Sequence, residues 1–213
     1  MPSPETLLVP RAEFDMEDPW STPRGCLPAR LRRATDASVP RLSTSVAAYF
    51  DDQYLTVLFS VADDHVEATH LEHDAPLYEE DVVEVFLAPE RQTRYFELEV
   101  SPRGTLFDAR IDSPDGERAT MQVDRGWTCD GLFAAIRKTI ESDGTTSTDT
   151  LLRIPFAALD RGTPEDGETW RANFFRIDRH PRFGDEYSAW QPTWKVPADF
   201  HVPAAFGTLR FAR

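Results

Sequence analysis

The chain has 213 residues, which is long enough for one large domain with a substantial core. Its 23 lysine and arginine residues stand against 37 aspartate and glutamate residues, and this formal charge of −14 repels phosphate backbones and anionic lipid surfaces, so nucleic acid is not expected as a partner. No apolar run approaches the roughly 20 residues that cross a bilayer, so the sequence predicts no membrane span.

The first forty residues predict an extended arm packed on a domain that comprises residues 41–213. The apolar stretch near the start is short and no basic residue precedes it, so it does not predict a signal peptide, and we expect a cytoplasmic protein from the chain as written. The prediction of an arm rests on seven prolines in this segment: Pro2, Pro4, Pro10, Pro19, Pro23, Pro28 and Pro40.

Strand patterns fill most of the remaining chain. Residues 44–64 predict two strands joined at Asp51-Asp52-Gln53, and residues 81–89 and 94–102 predict a second pair around a loop that contains Pro89. Short strands at regular spacing favour an all-β fold, an antiparallel, jelly-roll-like β-sandwich. Further segments of strand length are residues 104–111, 119–123, 132–140, 149–154, 170–178 and 207–213.

The shorter connecting segments give local predictions. Residues 142–150, which read SDGTTSTDT, predict a hairpin loop, and residues 155–160 predict one short helical turn after a proline. The two cysteines, Cys26 and Cys129, lack zinc-ligand spacing, so a zinc site is not expected. They are compatible either with one disulfide or with two buried thiols.

A glutamate interrupts the apolar strand of residues 82–87. Period-two counting places Val83, Val85 and Leu87 on one face, with Glu84 and Phe86 on the other. A simple hairpin sets Glu84 directly opposite Glu97, where two like charges need an arginine, a cation or a hydroxyl-rich ligand between them. The alternative is that both glutamates point to solvent on an open face of the sheet.

Aromatic residues accompany these acids. Phe86 and Tyr95 share the face of the glutamates by the same counting, which suits an exposed recognition surface. In the proline-rich C-terminal loop we expect Trp190 to pack inward, and we expect Trp194 and Phe200 to reach solvent. Exposed rings beside carboxylates and amides are typical of sugar sites, because sugar faces stack on rings and hydroxyls bond to polar groups.

Six segments, taken in order, resemble the family 9 carbohydrate-binding modules and their family 9-like relatives, over roughly residues 40–213. The resemblance implies a β-sandwich with a sugar site on one sheet, structural calcium in some members, and, as an alternative to the cytoplasm, an extracellular or periplasmic location. The segments that carry it are residues 74–89, 95–110, 154–159, 167–178, 187–193 and 200–211.

The resemblance assigns roles to individual residues. Tyr78 stands where the family has a tryptophan that forms one wall of an aromatic clamp, and Glu84 matches the glutamate that accepts hydrogen bonds from sugar hydroxyls. The second wall falls near Phe200. Glu97 stands where binding members have an arginine, and Arg176 or Arg110 is the candidate replacement. The family's N-terminal Asp-Gly calcium motif is absent, which leaves the loop acids Asp51, Asp52, Asp63 and Asp64 as candidate calcium ligands.

Three functions follow as hypotheses. The preferred one is a non-catalytic carbohydrate-binding protein that stacks a mono- or oligosaccharide on Tyr78 and on Phe200 or Trp194, with Glu84 and Arg176 as polar contacts. The second is a glycoside hydrolase that uses Glu84 and Glu97 as a carboxylate pair. The third is a haem-binding electron-transfer module, whose candidate axial ligands are Met16, Met121, His65, His70, His73, His180 and His201.

Overall fold

The structure is a computed structural model that describes residues 4–140 and 146–213, and almost all of its regular structure is strand. Its helices are 3-10 turns at Leu77–Glu79, Arg118–Thr120, Phe156–Leu159 and Pro203–Ala205. None of these described turns has the length or apolar character of a membrane-spanning helix. The strands are β1 Thr6–Pro10, β2 Ala29–Arg30, β3 Arg32–Arg33, β4 Thr44–Phe50, β5 Tyr54–Asp63, β6 Val82–Arg91, β7 Arg94–Val100, β8 Leu106–Asp112, β9 Gln122–Asp124, β10 Phe133–Ile140, β11 Thr146–Pro155, β12 Thr169–Asp178, β13 Glu186–Ala189 and β14 Gly207–Ala212.

The strands form two sheets that pack face to face. The larger sheet has the order β1-β14-β12-β6-β7-β8-β9, and β13 joins it between β12 and β3. The smaller sheet has the order β10-β11-β5-β4-β2. Every pairing between these strands is antiparallel except that of β1 with β14. The predicted all-β, antiparallel sandwich is confirmed.

The main core lies between the sheets, as the period-two pattern predicts. Val83, Val85 and Leu87 of β6 point into it and meet apolar residues of β4 and β5. Phe59 of the smaller sheet contacts Phe174 of the larger sheet edge to face, with ring centroids 6.0 Å apart. The alternation in β6 therefore separates the core side of the larger sheet from its outer side.

The outer face of the larger sheet is also covered. Phe86 and Tyr95 are fully buried there, beneath apolar residues of the C-terminal loop such as Phe200 and Phe206. The expectation that Phe86 and Tyr95 form an exposed recognition surface is therefore wrong. The reason is that residues 195–206 fold back over this face, which a local alternation pattern does not reveal.

The N-terminal forty residues do more than lie over the sandwich. Strands β1 and β3 extend the larger sheet and β2 extends the smaller one. Between β1 and β2, Phe14 and Trp20 pack on Tyr49 at the outer face of the smaller sheet. The segment predicted as an arm therefore supplies strands to both sheets. Its prolines do not prevent this, because Pro10 ends an edge strand and Pro28 precedes one.

Two local predictions differ from the structure. Strand β6 continues past Pro89 to Arg91, with a register irregularity after Leu87, so Pro89 lies in a disturbed part of a strand and not in a loop. Residues 146–150 of the predicted hairpin loop belong to β11. Residues 142–145 of that loop, and Pro2 of the predicted arm, lie outside the described residues.

Cys26 and Cys129 are both buried free thiols. Of the two alternatives given for the cysteines, the structure therefore shows two buried thiols and not one disulfide.

Gly207 gives a test of the packing behind β14. A Cβ atom at this position would lie 2.4 Å from Cη2 and Cζ3 of Trp190, which is buried as predicted. We expect Gly207→Ala to lower the free energy of unfolding by about 1–3 kcal/mol, because the indole must move within a filled core. Gly162→Ala is the control, since a Cβ atom there meets nothing within 4 Å. Equal unfolding midpoints in denaturant for the two variants would contradict this account of the packing.

Candidate functional site

A cavity of about 630 Å³ lies on the outer face of the larger sheet. Side chains of β6, β7, β8, β12 and β13 line it from below. Its walls come from the turn at Leu77–Glu79, from residues 118–125, which contain a 3-10 turn and strand β9, and from the irregular segment 195–201. Four of the residues that the sequence analysis assigns to a sugar site line this one cavity: Tyr78, Glu84, Glu97 and Phe200.

Strands β6 and β7 place three glutamates at the base of this cavity. Glu84 pairs with Glu99, and Glu97 pairs with Phe86, so the predicted direct pairing of Glu84 with Glu97 is wrong by two residues. The hairpin closes at Arg91 and Arg94, and the irregularity after Leu87 sets the register beyond it. A shift of two residues keeps the side chains on the same face, so Glu84, Glu97 and Glu99 form one cluster. Glu99 was not identified from the sequence.

All three carboxyl groups are buried, which excludes the alternative that they point to solvent. Burial, with a smaller contribution from the charge of Glu97, raises the pKa of Glu84 well above its ordinary value. Burial also raises the pKa of Glu97 to about 7. The pKa of Glu99 is raised well above its ordinary value by burial and then by the charges of Glu84 and Glu97. Placing three carboxylates together on a covered sheet face disfavours their ionised forms.

Arg176 does not replace the arginine that binding members of the family have at the position of Glu97. It pairs with Val83 in the β6–β12 ladder, so its side chain points to the opposite face of the sheet from Glu84. There its guanidinium lies 3.1 Å from Asp63 and donates to Ala62 O at 3.0 Å. The alternative, Arg110, does not line the cavity and is paired with Asp124 at 2.7 Å. Arg176 is therefore corrected from a ligand contact to a structural residue.

Arg179 is one of the cations that line the cavity, and it acts on Glu84. It donates to Tyr78 O at 2.7 Å and to Tyr187 Oη at 2.6 Å, and it forms an ion pair with Asp185. Its charge also opposes the rise in the pKa of Glu84. The side chain thus ties the turn that carries Tyr78 to strand β13. Its position in sequence, directly after the motif that contains Arg176, gives no sign of this role.

Two aromatic side chains identified from the sequence line the cavity, but they differ in how far they are exposed to solvent. Tyr78 is 38% exposed and presents its ring at the cavity. The expectation that Phe200 reaches solvent is wrong, because it stacks on Phe175 with ring centroids 4.2 Å apart and is only 7% exposed, yet it still lines the cavity. Trp194 is 39% exposed as expected, but it lies outside the cavity lining. The structure therefore brings Tyr78 and Phe200 together and leaves Trp194 apart.

Further polar residues at the cavity were not found from the sequence, because they lie in short turns and loops. Arg118 pairs with Asp199 at 2.9 Å across the opening. Arg125 and Lys195 also line the cavity. In the described residues neither of these two cations makes an ion pair.

The cavity contains two of the seven candidate haem ligands. Met121 and His201 both line it, and both contact Tyr95 Oη, at 3.6 Å from the sulfur and 2.9 Å from Nδ1. Burial lowers the pKa of His201 to about 4, so the ring is neutral. A haem ligated by this pair would have to part the Met121 sulfur from the hydroxyl and place its iron at His201 Nε2, which lies 3.7 Å from Glu97, so the arrangement does not fit the group. The remaining candidates lie outside the cavity lining.

The four acids considered for calcium do not form one site. Asp51 and Asp52 lie at the β4–β5 turn, whereas Asp63 and Asp64 lie at the far end of the ten-residue strand β5. Each carboxylate is already engaged by an arginine: Arg153, Arg11, Arg176 and Arg41, respectively. This donor set does not fit a calcium ion, since the acids are divided between two places and each has its own cation.

A buried acidic cluster does exist around one of them. Asp63, Asp81 and Asp178 place carboxylate oxygens within 4.8 Å of one another, beneath β6 and β12. Arg176 neutralises part of this charge from 3.1 Å at Asp63 and 3.6 Å at Asp178, and Arg41 lies 3.2 Å from Asp178. Burial raises the pKa of Asp81 to about 6, against hydrogen bonds from two backbone N–H groups. This cluster lies outside the cavity and holds the sandwich together.

Comparison with known proteins agrees with this architecture. A presumed carbohydrate-binding protein from Bacteroides uniformis matches with a TM-score of 0.73 and 19% identity, over 98% of this chain and 100% of that chain. A carbohydrate-binding module of family 9 from Caldicellulosiruptor kristjanssonii in complex with cellotriose matches with a TM-score of 0.62 and 14% identity, over 98% and 94%. The module from that organism in complex with glucose gives 0.63 and 14%, over 98% and 97%.

No curated protein sequence matches the chain. The profile of carbohydrate-binding family 9, in contrast, matches residues 35–211, which is most of the chain. Its limits enclose every strand from β4 to β13 and all the residues that line the cavity. The chain therefore belongs to carbohydrate-binding family 9.

Proposed function

We propose that the protein is a non-catalytic carbohydrate-binding protein that holds a mono- or oligosaccharide in the cavity on the larger sheet. The observation that carries this proposal is that Tyr78, Glu84, Glu97 and Phe200 line one cavity of about 630 Å³. That volume lies within the range of about 300–1,000 Å³ that is usual for small-molecule sites.

The cavity offers both kinds of contact that a sugar needs. The partly exposed ring of Tyr78 provides a face for the C–H groups of a pyranose, and Phe200 extends the apolar surface below it. Sugar hydroxyls both donate and accept hydrogen bonds, so they match a surface where Glu84 and Glu97 adjoin Arg118 and Arg179. Arg179 also fixes the backbone of Tyr78 and so holds the stacking ring in place.

The solved relatives support this class of ligand. Family 9 modules of the same fold are bound to glucose and to cellotriose. In this chain the family's two clamp tryptophans are replaced by Tyr78 and, in the same region, by Phe200. The smaller rings offer less area for stacking than tryptophan, so we expect weaker stacking and a larger share of the affinity from the polar groups.

The same residues give less support to a glycoside hydrolase. Hydrolysis needs one ionised carboxylate and one protonated carboxyl group, about 5–5.5 Å apart in retaining enzymes and further apart in inverting ones. Here oxygens of the glutamate cluster lie within 4.8 Å, and burial raises the pKa of Glu84 and Glu97 together. Because the same environment acts on both groups, it does not divide them into a nucleophile and an acid.

A thermal-shift screen of the purified protein against mono- and oligosaccharides tests the proposal. A ligand that binds only the folded state raises the melting temperature, and a 100-fold excess over Kd corresponds to about 2.7 kcal/mol. We expect at least one sugar to raise the melting temperature by several degrees. Incubation with the same sugars should release no reducing ends. No shift with any sugar would contradict carbohydrate binding, and released reducing sugar would contradict the non-catalytic assignment.

A further inference from the structure

The three glutamates at the base of the cavity have the spacing of ligands around one ion. One carboxylate oxygen from each of Glu84, Glu97 and Glu99 lies within 4.8 Å of the other two. Calcium binds oxygen at about 2.3–2.6 Å, so two ligand oxygens on opposite sides of the ion are about 4.6–5.2 Å apart. The three oxygens therefore fit within one calcium shell. Magnesium is a poorer match, because it gives up its water reluctantly and is usually held by one or two carboxylates and several waters.

Glu99 gives an independent sign of a missing partner. It is fully buried, and no nitrogen or hydroxyl donor of the described residues reaches either of its carboxylate oxygens, so the carboxyl group of Glu97 is its only hydrogen-bonding neighbour there. A buried carboxylate with no donor is costly, since burial removes its hydrogen bonds to water. Among the described residues, the only charged or titratable nitrogen within 4 Å of the three glutamates is His201 Nε2, at 3.7 Å from Glu97.

The second buried acidic cluster of the same chain provides an internal comparison. Asp63, Asp81 and Asp178 also lie within 4.8 Å of one another, but there Arg176 enters the cluster and Arg41 reaches its edge. Among the described residues, a guanidinium lies within 4 Å of the first trio of carboxylates, whereas Arg118, Arg125 and Arg179 act on the glutamates only from a greater distance. The trio without an arginine in contact is the one that adjoins the cavity, where an ion can arrive from solvent.

The remaining ligands of such an ion would come from the cavity. Calcium takes six to eight oxygen ligands, and three glutamates supply three to six of them. Glu84 and Glu97 line the cavity, so the remaining positions of an ion held by them would face its interior, open to water or to hydroxyl groups of a ligand. None of these three residues is among the loop acids considered for calcium from the sequence.

From these observations we propose that Glu84, Glu97 and Glu99 form a binding site for one divalent cation, calcium by the number of its carboxylate ligands, at the base of the cavity. The site is defined by the three carboxylates alone and does not depend on a sugar. Calcium binding and sugar binding can therefore be measured separately, so that failure of one does not decide the other.

Calorimetric titration of the chelator-treated, full-length protein with calcium chloride, without sugar, tests the site. We expect one calcium ion per chain, and we expect the melting temperature to rise by about 5–10 °C when free calcium is about 100-fold above Kd. Glu99→Gln keeps the size of the side chain and removes one ligand charge, so it should weaken calcium affinity at least about 10-fold. Glu84→Gln should do the same from the cavity side. Glu79→Gln is the control, because Glu79 is an exposed acid on the adjoining turn.

Each outcome bears on the proposal directly. Absence of calcium binding up to about 10 mM, well beyond the weakest calcium modules, would overturn it. Binding that is equally tight in Glu99→Gln and Glu84→Gln would also overturn it, since the ion would then lie elsewhere. Far-UV circular dichroism identifies any variant that has lost its fold. If one glutamine variant fails to fold, the other still decides the question.

Discussion

Replacement of Arg176 by methionine is expected to lower the free energy of unfolding by about 3–5 kcal/mol. The guanidinium is buried and contacts Asp63 at 3.1 Å, with a second carboxylate, that of Asp178, at 3.6 Å. Methionine preserves much of the volume of the side chain but leaves these acids without their central cation. The loss of stability is large because unpaired buried carboxylates are strongly destabilising, more so than the loss of any single hydrogen bond.

Chemical denaturation at neutral pH measures this effect, with Arg94→Met as the matched control. Arg94 forms an ion pair with Asp112 at 2.9 Å, but both side chains of that pair are exposed. Exposed pairs contribute about 0–1 kcal/mol, so the control should unfold close to the wild type. A loss below about 1 kcal/mol in Arg176→Met would show that the buried cluster does not depend on the arginine.

The second large effect concerns Tyr78. We expect Tyr78→Ala to reduce the affinity for the best-bound sugar about 10- to 100-fold, because the ring is the main exposed aromatic surface at the cavity. Burial of an aromatic side chain is worth about 1.5–3 kcal/mol, and each 1.4 kcal/mol is a factor of ten in Kd. The folded stability should change little, since the ring is 38% exposed before any ligand binds.

Trp194→Ala is the control for this variant. Trp194 is exposed to nearly the same extent, 39%, and lies in the adjoining segment, but it does not line the cavity. Titration calorimetry with the same sugar should therefore give wild-type affinity. If Trp194→Ala lost affinity and Tyr78→Ala kept it, the sugar would bind outside the cavity, at Trp194.

Local sequence patterns were sufficient for the parts of the fold that depend on neighbours in the chain. The hairpin of β4 and β5 follows from two apolar runs around Asp51-Asp52-Gln53, and its observed limits agree. The position of Glu84 on the outer side of β6 follows from period two alone. The resemblance to the family added Tyr78 and Phe200, which lie far apart in sequence and meet at one cavity.

Features that depend on register and long-range pairing were not accessible in this way. A single irregularity after Leu87 moves the partner of Glu84 from Glu97 to Glu99, and no local pattern marks it. The face on which Arg176 lies depends on the pairing of Phe175 with Glu84, between strands about ninety residues apart in sequence. One step of register decides between a ligand contact and a structural ion pair.

The polar rim of the cavity was missed for a different reason. Arg118 lies in a three-residue 3-10 turn, and Arg125 and Lys195 lie in a turn and a loop, where neither period two nor period 3.6 tells which way a side chain points. The same holds for the loop that covers Phe86 and Tyr95, whose burial was not expected. Because these segments form the walls of the cavity, its shape follows from loop conformation more than from strand sequence.

The position of a bound sugar is the most direct test of the proposed function. A crystal structure of the protein with the sugar that gives the largest thermal shift would show it. We predict the sugar in the cavity on the larger sheet, with one ring face on Tyr78 and its hydroxyl groups toward Glu84 and Arg179. A sugar bound instead at the 270 Å³ cavity beside Trp20 on the smaller sheet, with the larger cavity left to solvent, would contradict the account.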